Sequence, residues 1–185
     1  MVMKNGVGVC AVSTVRVLLC ALVLVGCGGG GDPRIGASAL TPQEAIARLE
    51  ASGDLPTLER GASLGGMDDN HNGVRDDIDR YIESKYVLPQ ERKAAMQLAR
   101  SLQQMLLVNT SDAAALRATT EAGGKAIDCI FDTFSQEDGY QQGSRLSSAL
   151  EALTTNTKAR LQAYLAFNRA VSGSVTGSFK GRGCD

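Results

Sequence analysis

Histidine is nearly absent: His71 is the only one in 185 residues. A zinc centre with several histidines is therefore excluded, and a Ser-His-Asp or Cys-His arrangement would have to be built around that one side chain. Net charge is missing as well. The chain sets 19 Lys and Arg against 20 Asp and Glu, a formal charge of −1, with no long run of like charges, so neither nucleic acid nor an acidic membrane surface is indicated as a partner. No phosphate-binding glycine loop is present, and Gly28 to Gly31 precedes no strand. No apolar run approaches the ~20 residues that a membrane-crossing helix needs. Alternating β-branched runs are also lacking after residue 40, which argues against a sheet.

What is present begins with Lys4 and Arg16, followed by nine apolar residues from Val17 to Val25. A positive start followed by so short an apolar run reads as a secretion signal. The run ends Leu24-Val25-Gly26-Cys27, which resembles the lipobox of bacterial lipoproteins. That resemblance implies cleavage before Cys27 and acylation of its thiol, with the membrane as partner through a lipid anchor. Residues 1–26 are then a signal peptide, and 27–40 a flexible tether too poor in apolar residues to fold. Cleavage removes Lys4 and Arg16 from the 19 basic residues, leaving 17 against 20 acidic ones, a mature charge of −3. Gly28 after the cysteine, by similarity to lipoprotein sorting rules, favours the outer membrane on its periplasmic side. An ordinary secretory signal with a chance cysteine and a weak membrane anchor are the alternatives.

Cys129 and Cys184 remain in the mature chain beside Cys27. In an oxidising compartment an isolated pair is most simply a disulfide, which would fasten the glycine- and serine-rich tail from Ser172 to Gly183; two free thiols or a metal pair are the competing readings. The remainder, 41–185, has the pattern of an all-α bundle of four to six helices. Thr41-Pro42-Gln43-Glu44 matches a capping box, opening a helix to Ser52 that Gly53 ends. Asp54 to Met67 carries no sustained period and reads as loop. A helix with Ile78, Tyr81 and Ile82 on one face should stop near Tyr86, and Pro89 should open a longer one carrying Ala94, Leu98, Leu102, Met105 and Leu106. The helix from about Asp112 meets Gly123-Gly124, where a break or kink is expected because two glycines cost about 2 kcal/mol relative to alanines. Beyond it Ile127, Ile130, Phe131 and Phe134 form a stripe, with Cys129 beside it. Gly139 and Gly143 should bracket a loop. One last helix is expected to carry Leu146, Leu150, Leu153, Leu161, Tyr164 and Leu165 up to Gly173.

The densest chemistry lies in Asp68-Asp69-Asn70-His71-Asn72-Gly73-Val74-Arg75-Asp76-Asp77-Ile78-Asp79. Oxygen-bearing side chains at the first, third and fifth places, glycine at the sixth and carboxylates at the ninth and twelfth form the spacing that wraps a chain around Ca²⁺. Asp68, Asn70 and Asn72 would give side-chain oxygens and Val74 its carbonyl. Asp76 would bind directly or through water, and Asp79 would close the shell. Asp69, His71, Arg75 and Asp77 should point outward. The stretch resembles EF-hand loops and, more closely, the acidic loops of thrombospondin type 3 repeats, in which a valine follows the glycine and an aspartate ends the loop. It departs from an EF-hand in having Asp79 where glutamate is usual, and in having no evident entering helix or second loop. Mg²⁺ suits the set less because it keeps several waters. The plain alternative is a polar turn that caps the next helix.

Function therefore reads as a lipid-anchored cell-envelope protein with a structural calcium site, a non-enzymatic module that binds an envelope protein or polymer. An envelope hydrolase is the alternative, using a carboxylate pair drawn from Glu44, Glu83, Glu91, Glu121, Glu137 or Glu151 with an aspartate.

Overall fold

The computed structural model describes residues 40–134, 139–174 and 183–185. Residues 1–39, and with them Cys27 and the reading of the signal and tether, lie outside the described residues, as do Glu137 and most of the tail. Six helices occur among the described residues, and no strand: α1 Pro42–Ser52, α2 Asp76–Lys85, α3 Pro89–Leu107, α4 Ala113–Thr133, α5 Gly139–Thr154 and α6 Lys158–Val171. The all-α reading holds, and so does the disulfide Cys129–Cys184.

Helix starts follow local chemistry. The Thr41 hydroxyl accepts from the Glu44 amide while the Glu44 carboxylate accepts from the Thr41 amide at 2.8 Å, closing the capping box. Donation to the Glu44 carboxylate from the Thr41 amide, and second from the Thr41 hydroxyl at 2.9 Å, holds this carboxyl below its ordinary pKa. Asp112 caps α4 by accepting from Ala114 and Ala115, and Thr157 caps α6 by accepting from Arg160. α3 is the hub, packing against α2, α4, α5 and α6. Ile78, Ile82, Leu98, Leu102, Ile130, Leu146 and Leu150 make up most of the core. α1 buries none of its residues.

Four expectations are corrected. α4 is helical straight through Gly123-Gly124. Burial of Ile130 beyond the glycines contributes roughly 1.5–3 kcal/mol by itself, enough to offset their propensity cost. Gly123 also serves the packing, since a Cβ there would stand 2.6 Å from the Met105 terminal methyl. Gly139 and Gly143 belong to α5 and do not bracket a loop. A Cβ on Gly139 would collide with the Phe134 carbonyl, and one on Gly143 would press the Ile130 side chain, so both are glycine because α4 passes close. The expected single last helix is two, separated at Thr155-Asn156-Thr157, where short polar side chains compete for backbone partners. Finally, Cys129 is itself in the core, 1% exposed.

Candidate metal centre

The aspartate-rich loop is folded by its own side chains. The two Asp68 carboxylate oxygens accept from the amides of Asn72 (3.1 Å) and Gly73 (2.9 Å), and Asn72 Oδ1 accepts from the Val74 amide at 2.8 Å. These are the local bonds by which Asp and Asn favour turns. The reversal needs left-handed backbone at His71 (φ 54°) and Gly73 (φ 81°), a conformation that glycine adopts without penalty. Val74 then buries its side chain in the core and fixes the junction with α2. No side chain caps α2. Asp76, Asp77 and Asp79 instead place negative charge in its first turn, against the positive end of the helix dipole.

This folding draws together Asp68, Asn70, Asn72 and Asp79. Asp79 Oδ2 accepts from the side-chain amides of both Asn70 (2.9 Å) and Asn72 (2.6 Å). Asp76 sits at the rim, accepting from the Asp69 amide at 3.1 Å. Asp69 and His71 are exposed. No three His, Cys, Asp or Glu side chains gather as a metal group among the described residues; the convergence consists of two carboxylates and two amides. A hard cation accepts such oxygens provided that the two asparagines turn their carbonyls inward, in which case the ion takes over from the N–H donors that now compensate Asp79.

Arg75 and Asp77 depart from their expected outward direction. Both turn into the body of the protein, 1% and 4% exposed. Arg75 grips Asp77 with Nε and Nη2 at 2.5 and 2.9 Å and donates to the carbonyls of Leu153 and Thr154. Asp77 also accepts from the Glu59 amide at 2.7 Å. Beside this pair lies Arg160, fully buried, bonded to the Glu59 carboxylate and to the carbonyls of Glu59, Ser63 and Leu64. Burial, with the nearby Arg75 cation, pulls the Arg160 guanidinium below its ordinary pKa, while Glu59 and Asp77 oppose the shift. Together these two arginines strap residues 59–67 to the ends of α5 and α6. Arg75 was expected to point outward, and no local signal in the sequence marks either arginine as buried.

A third arginine ties the loop to α3. Arg100 donates from Nε to the Asn72 carbonyl at 2.9 Å, and its Nη1 lies 3.9 Å from Asp185 Oδ2. The segment at Asp185 is itself held by the disulfide and by Gln97, which donates to the Gly183 carbonyl (2.7 Å) and accepts from the Asp185 amide (3.1 Å). Loop and disulfide thus both line one cleft of about 830 Å³ on the α2–α3 side.

Of the carboxylates considered for hydrolysis, Glu44 is committed to its cap, Glu83 lines the cleft, Glu91 is half-buried, and Glu121 and Glu151 are exposed. No helix among the described residues is long and apolar enough to cross a membrane. The chain matches no protein-family model, no curated protein and no solved structure, so function must be argued from its own residues.

Proposed function

We propose that the protein is a lipid-anchored module of the bacterial cell envelope, acylated at Cys27 and facing the periplasm from the outer membrane. In this reading it holds a structural Ca²⁺ in the 68–79 loop and binds an envelope protein or polymer without catalysing a reaction. The observation that carries it is a loop in which Asn70 and Asn72 both donate to Asp79 while Asp68 accepts from the amides of Asn72 and Gly73, so that these four residues are tied together. The ion's shell would be those four side chains with Asp76, directly or through water, and the Val74 carbonyl, the all-oxygen set a hard cation prefers. Few carboxylates and no second loop fit an affinity on the order of 10⁻⁴ to 10⁻³ M, typical of extracellular modules. At such affinity the ion acts as a clip, joining the loop to the first turn of α2. Attachment to the membrane rests on Leu24-Val25-Gly26-Cys27, and acyl chains at about 0.8 kcal/mol per buried methylene would hold the protein without a spanning helix.

Calorimetry of the chelator-treated chain tests the calcium site. Calcium at about 100 times its dissociation constant should stabilise by about 2.7 kcal/mol and raise Tm, and Asp68→Ala should abolish the shift. An equal rise in both proteins overturns the site. Labelled palmitate should enter the wild type and not Cys27→Ala; label in neither removes the anchor.

A further inference from the structure

The cleft that leads away from the loop carries a charge pattern that the calcium clip does not use. Three cations line it, Arg92, Lys93 and Arg100, and three carboxylates, Asp79, Glu83 and Asp185. Of these three cations only Arg100 has an ion-pair partner among the described residues, the loosely held Asp185 at 3.9 Å, whose side chain is 74% exposed. Arg92 and Lys93 form no ion pair there. The lining is electrically balanced as it stands. A divalent ion in the loop would satisfy Asp79 from within the ring and leave the rest of the lining, three cations against Glu83 and Asp185, with a net charge of about +1.

The cations are also spaced for a particular kind of ligand. Arg92, Met96 and Arg100 follow one another at four-residue intervals along α3, so each is about 6 Å from the next along the helix axis. Alternate side chains of an extended peptide, which point the same way, are about 6.8 Å apart. A strand presenting aspartate, leucine and aspartate at alternate positions would therefore set a carboxylate on each guanidinium and its leucine on Met96. Guanidinium binds carboxylate in a two-pronged fashion, and Asp185 already offers Arg100 a carboxylate that an incoming one can displace.

We infer that this cleft binds an extended acidic peptide segment of an envelope protein in a calcium-dependent manner, with carboxylates on Arg92 and Arg100 and an apolar side chain on Met96. The inference rests on the calcium reading of the loop, which supplies the positive charge that makes the cleft attractive to an anion.

The test uses the mature chain and a dye-labelled peptide with aspartate, leucine and aspartate at alternate positions, followed by fluorescence anisotropy with calcium in excess and again with chelator. Binding should weaken at least about tenfold on chelation, a common strength for coupling between sites. It should fail for the same peptide with asparagine in place of aspartate, and weaken by a similar factor in Arg92→Glu/Lys93→Glu. Calcium titration of that double variant, whose two sites lie outside the loop, checks that it is folded. Calcium heat in the wild type without peptide binding overturns this inference alone, as does binding that ignores the double substitution. Absence of calcium heat overturns the calcium reading and the calcium dependence together.

Discussion

The seam between α3 and α4 and the strap of residues 59–79 lie against the same helix, yet they are held by opposite chemistry. In the seam, Leu98, Leu102, Ala126 and Ile130 are sealed from water, and the contribution of each scales with the apolar area it buries. In the strap, two buried guanidinium groups are paired with carboxylates and backbone carbonyls, and Gln103 and Arg100 reach from α3 to the carbonyls of Gly65 and Asn72. Apolar packing is indifferent to ions and forgiving of small changes. A polar strap is sensitive to the loss of any one buried partner. The region proposed to hold a cation is thus the one assembled from polar bonds, and the seam supplies the rigid surface behind it.

The largest expected effect would break the strap. Arg75→Ala leaves Asp77 buried and unpaired, which should cost about 3–5 kcal/mol in urea denaturation; a loss as small as that of a surface substitution would mean that the strap does not carry the stability assigned to it. A pair of glycine replacements sharpens the contrast. Gly183 lies so close to the backbone of Asp128 and Cys129 that an added Cβ would collide with it, so Gly183→Ala should destabilise by about 1–3 kcal/mol. At Gly123 the added Cβ meets only the flexible end of Met105. Alanine should leave stability unchanged or raise it by up to about 1 kcal/mol through helix propensity. Equal losses at both sites would erase the distinction.

The smallest effect is a pH response on the apolar side. Tyr86 packs edge-on against Phe134, with centroids 6.4 Å apart, and burial, with lesser help from Tyr81 and Glu91, pushes its phenol up to about 12. A group whose pKa is raised by folding contributes stability in full below its unfolded value, near 10, and loses it as pH rises toward 12. Tyr86→Phe should therefore flatten the alkaline limb of the stability profile between those values. A limb of unchanged steepness would assign the loss to other groups, such as Tyr81 and Tyr164, which burial also raises.

Where a signal needs only neighbours in sequence, it was legible. The Thr41-to-Glu44 box and Pro89 as the opening of α3 each depend on residues within a few places of one another. The cysteine pair was legible for a different reason, its isolation in a chain with few alternatives. The glycines were misjudged because propensity is a local quantity, whereas Gly123, Gly139 and Gly143 are placed by a side chain or backbone of another element. Arg75 and Arg160 were missed for the same reason. Glu59, which anchors Arg160, is 101 residues away in sequence, and nothing near either arginine announces that it is buried.

The sequence by itself determined that the chain is helical and that Cys129 and Cys184 have each other as partners. Those outcomes follow from hydrogen bonds and periodicities that close over a few residues, or from there being little else to choose. Only the tertiary structure decided which charges are inside, which glycines are helical, and that the loop and the disulfide line the same cleft. Each of these depends on surfaces brought together from distant parts of the chain, and burial turns an ordinary arginine into a group that must be fully paired.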